Sequence, residues 1–510
     1  MSEQTGTLLS TLGHYVNGAP YPGTSRQTQP VYNPATGEVS KHLALAEEDD
    51  VNTAVAAAKE AFGSWGQMSL ARRTSILFAF RQLLAANLDE LAAIITSEHG
   101  KVLSDAKGEL QRGLEVVEMA CGIGQLLKGE FSDQVSTGID VHSFRQPLGV
   151  VAGITPFNFP AMVPLWMAPI AIATGNTFVL KPSERDPSAA NRIAELWTEA
   201  GLPRGIFNVV HGGKTAVDTL LTHPDVSAVS FVGSTPIAKY VHATATAHGK
   251  RVQALGGAKN HAVVLPDADI DFVAEHLSAA AFGSAGQRCM AISAAVAVGD
   301  AADRLVHAVA GKARTIVVGN GADPASEMGP VITPESRDRI ITAIDGAEAN
   351  GADVVVDGRA LKIDNHEDGF FVGPTIIDKV ALDDPAYTTE LFGPVLVIVR
   401  VPDLEAAINL VNASPFGNGT AIFTASGEAA RTFQRAVTVG MIGVNVPLPV
   451  PVANYSFGGW KDSLFGDKHI YGPEGVSFYT RAKVVTSRWP HQEKWQEQGS
   501  GASYNFPSSE

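Results

Sequence analysis

From Gly149 onward, short apolar runs alternate with amphipathic ones, and this alternation limits what the chain can fold into more than any other feature. Residues 150–154 (VVAGI), 176–181 (NTFVLK), 205–210 (GIFNVV) and 226–232 (VSAVSFV) are of strand length and rich in β-branched and aromatic side chains. Residues 160–174, 188–200 (closed by Gly201), 216–222 and 236–248 follow them with helical period. Strands separated by helix-length segments pair in parallel, because each crossover returns the chain to the same end of the sheet. The expected class is therefore α/β, with a doubly wound parallel sheet whose ligands sit outside the carboxyl ends of its strands. At 510 residues the chain is longer than one domain of roughly 100–200 residues, so a second α/β unit is expected. It is traced by a strand at 260–265, helices at 269–282, 302–313, 334–350 and 404–412, and strands near Val354 and Val395. Upstream, residues 51–65, 70–100 and 102–122 carry apolar side chains at three- and four-residue spacing and read as amphipathic helices. Residues 1–30 show no period and are expected to form an irregular arm.

Charge and cysteine usage exclude several classes. A formal net charge of −15 disfavours a nucleic-acid partner or an anionic membrane surface. The start, MSEQTGT, has no basic segment followed by an apolar one, so no targeting peptide is read. The most apolar stretch, residues 161–175, is too short for a membrane span and holds Pro164 and Pro169. A cytoplasmic protein acting on small molecules is the expectation. Two cysteines, Cys121 and Cys289, make no disulfide framework, and no Cys/His spacing suits zinc, so no metal is expected.

Candidate chemistry gathers at strand ends and around one thiol. Cys289 lies among small residues in FGSAGQRCMA, where a substrate could reach it; taken alone, the window also reads as a small buried hydrophobe. Lys181-Pro-Ser-Glu184-Arg185 follows a strand directly, and Glu184 there could accept from a ribose 2′-hydroxyl and repel a 2′-phosphate; an exposed turn with an incidental ion pair is the alternative. In FVGSTPI a strand runs through Gly233 and Ser234 into a helix, a start that binds phosphate through free N–H groups or is an ordinary cap. Glu390 and Phe392 sit in a Gly-Pro turn, ELFGP, which could equally pack Phe392 into the core. No Gly-x-Gly-x-x-Gly turn or Walker loop occurs in this region, so a dinucleotide would need a variant route.

Six segments together carry a wider resemblance: TPFNFP (155–160), KPSE (181–184), FVGS (231–234), GQRC (286–289), ELFGP (390–394) and FGGWK (457–461). With them, the chain from about Val31 to Val485 resembles the aldehyde dehydrogenase superfamily. The resemblance implies a Rossmann-type NAD-binding domain (residues 1–128 and 148–257), an α/β catalytic domain (258–448) and a small β oligomerisation arm (129–147 and 470–490); the Gln/Gly/Ser-rich composition of 491–510 reads as a poorly ordered tail. It implies Cys289 as nucleophile, with the Asn158 amide and the Cys289 N–H as oxyanion donors. Around NAD it places Thr155, Phe157, Lys181, Glu184, Arg185, Gly233, Ser234, Glu390 and Phe392. It also implies a homodimer or homotetramer.

One departure narrows the reading. Hydrolytic members of the superfamily set a glutamate in a Glu-Leu-Gly-Gly-Lys type segment to activate water, whereas residues 252–261 here, VQALGGAKNH, hold no carboxylate. Water attack on a thioester without a general base is slower by roughly 10²- to 10⁴-fold, so another acceptor must release the acyl group. These segments are similar to those of the methylmalonate-semialdehyde dehydrogenases, the CoA-acylating branch. That resemblance implies coenzyme A as co-substrate, Arg112 and Arg288 as the clamp on the substrate carboxylate, and propionyl-CoA or acetyl-CoA as product. A hydrolytic dehydrogenase of another semialdehyde and a non-catalytic binding protein of the same fold remain as alternatives.

Overall fold

The computed structural model describes residues 9–489, so the tail expected at 491–510 lies outside the described residues. The alternation after Gly149 becomes an eight-stranded sheet. Its five central strands, Arg251–Leu255, Val226–Val232, Val150–Ile154, Thr177–Lys181 and Phe207–Val209, run parallel in that spatial order. The chain steps outward from Val150–Ile154 in one direction and then returns to its other side with Val226–Val232. Strand order therefore reverses between these two strands, and the crevice for a ligand opens at their carboxyl ends.

Both faces of this sheet are covered, which is why its strands are apolar throughout. Val151, Phe178 and Leu180 pack toward the helix Met162–Ala173, all of whose residues are buried. Val150, Ala152, Ile154 and Val179 pack on the other side, with Val51, Ala54 and Val55 of the helix Glu48–Trp65.

A second sheet has seven strands, in the order Asp353–Val356, Thr375–Asp378, Val395–Val401, Ile292–Val298, Asn260–Val264, Gly419–Phe423 and Met441–Val444. All pairings are parallel except the first. A third, antiparallel sheet joins Phe131–Ser136, Ile139–Pro147 and Thr480–Arg488. No helix among the described residues is long and apolar enough to cross a membrane.

Several local expectations are corrected. Residues 9–30 are not the irregular arm expected, since His14–Val16 and Ala19–Tyr21 complete one edge of the eight-stranded sheet. The helical stretch 70–100 is two helices, broken at Asn87, whose side chain donates to the Leu83 carbonyl at 2.7 Å. Within the segment 470–490 expected as part of the β arm, Gly472–Phe478 form a helix and Thr480–Arg488 the strand. Ile292–Val298 (ISAAVAV) went unread because alanine disfavours strands in isolation; here it is central and almost wholly buried.

Candidate active site

The turn after Val150–Ile154 carries Thr155, Phe157 and Asn158 into the helix Met162–Ala173. An anchor that the sequence did not disclose fixes it. Lys101 Nζ donates to the Asn158 carbonyl at 2.6 Å and pairs with Glu109 at 2.8 Å, and both side chains are fully buried. The other Glu109 oxygen accepts from the Ala161 and Met162 N–H groups at 2.9 and 3.0 Å. Removing either charge would leave the other unpaired in the core, at a cost of about 3–5 kcal/mol.

Cys289 is presented by a strained loop. The helix Ile270–Phe282 ends, and Ser284, Ala285 and Gly286 follow with φ of +54°, +51° and +70°. Left-handed backbone costs a non-glycine residue roughly 1–2 kcal/mol and concentrates where surrounding structure over-determines the chain. At Gly286 a Cβ would lie 2.0 Å from the Gly393 carbonyl, so only glycine fits. Beyond the loop, the Cys289 carbonyl accepts from the side-chain amides of Asn260 at 2.8 Å and Asn418 at 3.1 Å. Neither asparagine stood out in the sequence, because each is distant along the chain from the residue it holds.

One cavity of about 320 Å³ brings Cys289 and Asn158 together with Gly233 and Ser234, and with Glu390, Phe157 and Phe392. Ser234 begins the helix Thr235–Ala247 without capping it through its side chain, which leaves N–H groups of the first turn available to an anion. Phe392 (φ +53°) meets Phe157 edge-on at 5.7 Å. Glu390 accepts from the Ala258 N–H at 3.0 Å, and a Cβ on Gly257 would meet its carboxylate at 2.4 Å. Lys181, Glu184, Arg185 and Thr155 do not line this cavity. Lys181 and Glu184 form an ion pair at 2.8 Å; burial works to raise the Glu184 carboxyl, but Lys181 holds it below the usual range. Arg185 is exposed. The Thr155 N–H donates to the Lys181 carbonyl at 3.1 Å, and its buried hydroxyl has no protein partner among the described residues.

A sequence profile of the aldehyde dehydrogenase family matches residues 21–485. The chain belongs to that family. A malonate-semialdehyde dehydrogenase of Pseudomonas aeruginosa is 53% identical over 501 residues, which is 98% of this chain and 100% of the relative. Among solved structures, the methylmalonate-semialdehyde dehydrogenase of Oceanimonas doudoroffii superposes with a TM-score of 0.94 at 55% identity, covering 95% of this chain and 100% of that one. A protein of Sinorhizobium meliloti named as a methylmalonate-semialdehyde dehydrogenase and complexed with NAD also gives 0.94, at 50% identity and 96% and 100% coverage. The α/β fold and the family expected from the six sequence segments are thus confirmed.

In this aldehyde dehydrogenase, burial pushes the Cys289 thiol up to about 12; Glu390 adds to the rise, while backbone N–H groups and Arg288 oppose it. Burial likewise raises Glu390 to about 7 against the pull of the Ala258 N–H, Lys259 and Arg339. The two arginines expected at the substrate carboxylate both have protein partners, and Arg288 also lines a small pocket with Cys289 and Glu390. Arg288 is ion-paired with Asp105 and lines a neighbouring pocket with Glu275 and Lys312. Arg112 bonds Glu115 at 2.6 Å and the carbonyls of Val450 and Pro451 at 3.3 and 2.8 Å. Neither lines the cavity that Cys289 shares with Asn158.

Proposed function

We propose that this aldehyde dehydrogenase oxidises malonate or methylmalonate semialdehyde with NAD, through a thioester on Cys289, and passes the acyl group to coenzyme A with loss of the β-carboxylate. The observation that carries the chemistry is that Cys289 and Asn158 share one cavity, and that neither the Cys289 N–H nor the Asn158 side-chain amide donates to a protein oxygen among the described residues. Both donors are therefore free for an oxyanion that forms when the Cys289 thiolate adds to an aldehyde carbon. Each such donor contributes about 3–4 kcal/mol to the transition state. The names of the relatives support the substrate class.

The residues present fit NAD. The free N–H groups after Ser234 suit a pyrophosphate, the Lys181–Glu184 pair suits ribose hydroxyls, and the orphaned Thr155 hydroxyl lies beside the Lys181 backbone. When bound, NAD supplies the acceptor for the two electrons that leave the aldehyde carbon. Phe157 and Phe392 then close the cavity against water, and Glu390, held by the Ala258 N–H, is oriented to accept from ribose. Arg185 contributes a surface charge nearby. Because the Glu184 carboxylate would repel a 2′-phosphate, NAD should be preferred to NADP. Glu184→Gln should narrow that preference by roughly tenfold, measured as the ratio of kcat/KM values; an unchanged ratio would move the ribose site elsewhere.

Arg288 and Arg112 are the candidates for the carboxylate clamp: Arg288 lines a small pocket with Cys289 but is paired with Asp105, and Arg112 is paired with Glu115. A guanidinium suits a carboxylate through its planar fork of donors. Arg112→Leu should lower kcat/KM for the semialdehyde by roughly ten- to hundredfold and for propionaldehyde far less, because the uncharged aldehyde offers no anion to bind. Equal losses would remove Arg112 from substrate binding. The same two substrates on Arg288→Leu separate a clamp from a role in shaping the loop.

The test of the function itself is NADH formation from a panel of semialdehydes with and without coenzyme A, with the product weighed by mass spectrometry. A CoA thioester one carboxylate shorter than the substrate is expected. A free acid formed at full rate without coenzyme A would favour the hydrolytic reading, for which Glu390 is the one carboxylate on the cavity wall. The antiparallel sheet that ends in Thr480–Arg488 exposes Phe131, Val484 and Trp489, which suits pairing with further copies as a homodimer or homotetramer.

A further inference from the structure

Within electrostatic reach of Cys289, a tyrosine that did not stand out in the sequence occupies a strained position. Tyr471 has φ +44° and ψ −171°, a conformation costly for an aromatic residue, yet it is buried almost completely. Its ring meets Trp166 edge-on at 5.1 Å and lies 6.3 Å from Phe457. Its hydroxyl donates to the Pro451 carbonyl at 2.9 Å. Arg112 Nη2 donates to that same carbonyl at 2.8 Å. Two donors from distant parts of the chain thus converge on one oxygen in the proline-rich loop 446–452.

Resting on the semialdehyde reading above, we propose that Tyr471 is the positioning residue of the carboxylate clamp: by holding the Pro451 carbonyl in place it aims the Arg112 guanidinium at the substrate. Arg112 spends three N–H groups on Glu115, Val450 and Pro451, which leaves two of its five donors for an incoming carboxylate. The direction in which those two point is set by the loop, because two of the three anchors are loop carbonyls. Leu448 and Val450 pack the loop against the core while Val446 and Val452 stay exposed, and at Pro451 itself the Tyr471 hydroxyl is the side-chain donor besides Arg112. Burial keeps the Tyr471 phenol above its ordinary range, with Arg112 lowering it and Cys289 raising it. The hydroxyl therefore remains a donor across working pH, and both the clamp and the nucleophile lie within its electrostatic reach.

Tyr471→Phe removes the bond and keeps the ring. In the full-length protein, kcat/KM for malonate or methylmalonate semialdehyde should fall roughly three- to tenfold, mostly through KM, while propionaldehyde changes by less than about twofold. The inhibition constant of malonate against propionaldehyde turnover should rise by the same factor. Because Tyr471 acts through Arg112, adding Tyr471→Phe to Arg112→Leu should cost nothing further. Loss with both aldehydes alike, whether through misfolding or through the chemistry, would overturn the proposal, as would full additivity of the two substitutions. Wild-type protein assayed in parallel separates the two levels: if it shows no preference for the carboxylate-bearing aldehyde, the substrate reading has failed, whereas a preference that survives Tyr471→Phe condemns only the role of Tyr471.

Discussion

Cys289→Ala is expected to lower NADH formation by roughly 10⁴-fold or more while NAD binding persists, since removing a covalent nucleophile abolishes the step on which the rest depend. The same substitution at Cys121 should leave turnover within about twofold, because Cys121 lies at the buried end of the helix Leu103–Cys121 and lines no part of the cavity. NAD binding is the control that matters: the N–H groups after Ser234 and the Lys181–Glu184 pair do not depend on the thiol for their geometry. The thiol should also betray its environment before any substrate is added. With Cys289 pushed up to about 12, the free protein holds it as thiol at neutral pH, so its alkylation should keep rising with pH instead of levelling near the ordinary cysteine value. Turnover by the Cys289→Ala protein comparable to wild type would dismiss the nucleophile, and a plateau in alkylation near pH 8.5 would dismiss the buried-thiol electrostatics.

The parts of this molecule that local sequence encodes were legible, and those that depend on distant contacts were not. Val226–Val232 could be read to the residue because a β-branched run ends in Gly233 and Ser234 before a proline-started helix, so pattern, turn chemistry and capping agree. The loop around Cys289 could be read as small and accessible, but not as left-handed at Ser284 and Ala285. That conformation is imposed by packing of Gly286 against Gly393, more than a hundred residues away. Likewise, nothing local in the sequence marks Lys101 and Glu109; only the fold shows them buried and bracing Asn158. The arginines mark the same limit from the other side. Residue type and resemblance named Arg112 and Arg288, whereas the carboxylate of Asp105 and the carbonyls of Val450 and Pro451 decide where their guanidinium groups point. Strand Ile292–Val298 escaped notice for a related reason, because its alanines are chosen for close packing in the sheet centre and carry no intrinsic strand signal.

Omitting coenzyme A should turn steady turnover into a burst of about one NADH per active site, followed by a rate lower by roughly 10²- to 10⁴-fold, as an acyl-enzyme accumulates without a base to hydrolyse it. The argument rests on which carboxylates face the thioester. The strand Arg251–Leu255 and the Gly256-Gly257 turn that follows contribute none, and the side chain of Gln253 is turned away to Ser230 and to the carbonyls of Lys468 and His469. Glu390 alone lines the cavity as an acid, and burial sets it at about 7, so about half of it is deprotonated at neutral pH. A carboxylate serves as base only in its ionised form. Any residual hydrolysis through Glu390 should therefore climb as pH rises through about 7 and flatten above it, and Glu390→Gln should erase that dependence. Coenzyme A should restore full turnover at every pH where its thiol attacks, with the acyl group recovered as its thioester. Sustained turnover without coenzyme A, unaffected by Glu390→Gln, would mean that a base outside this cavity reaches the thioester, and the acylating assignment would fall with it.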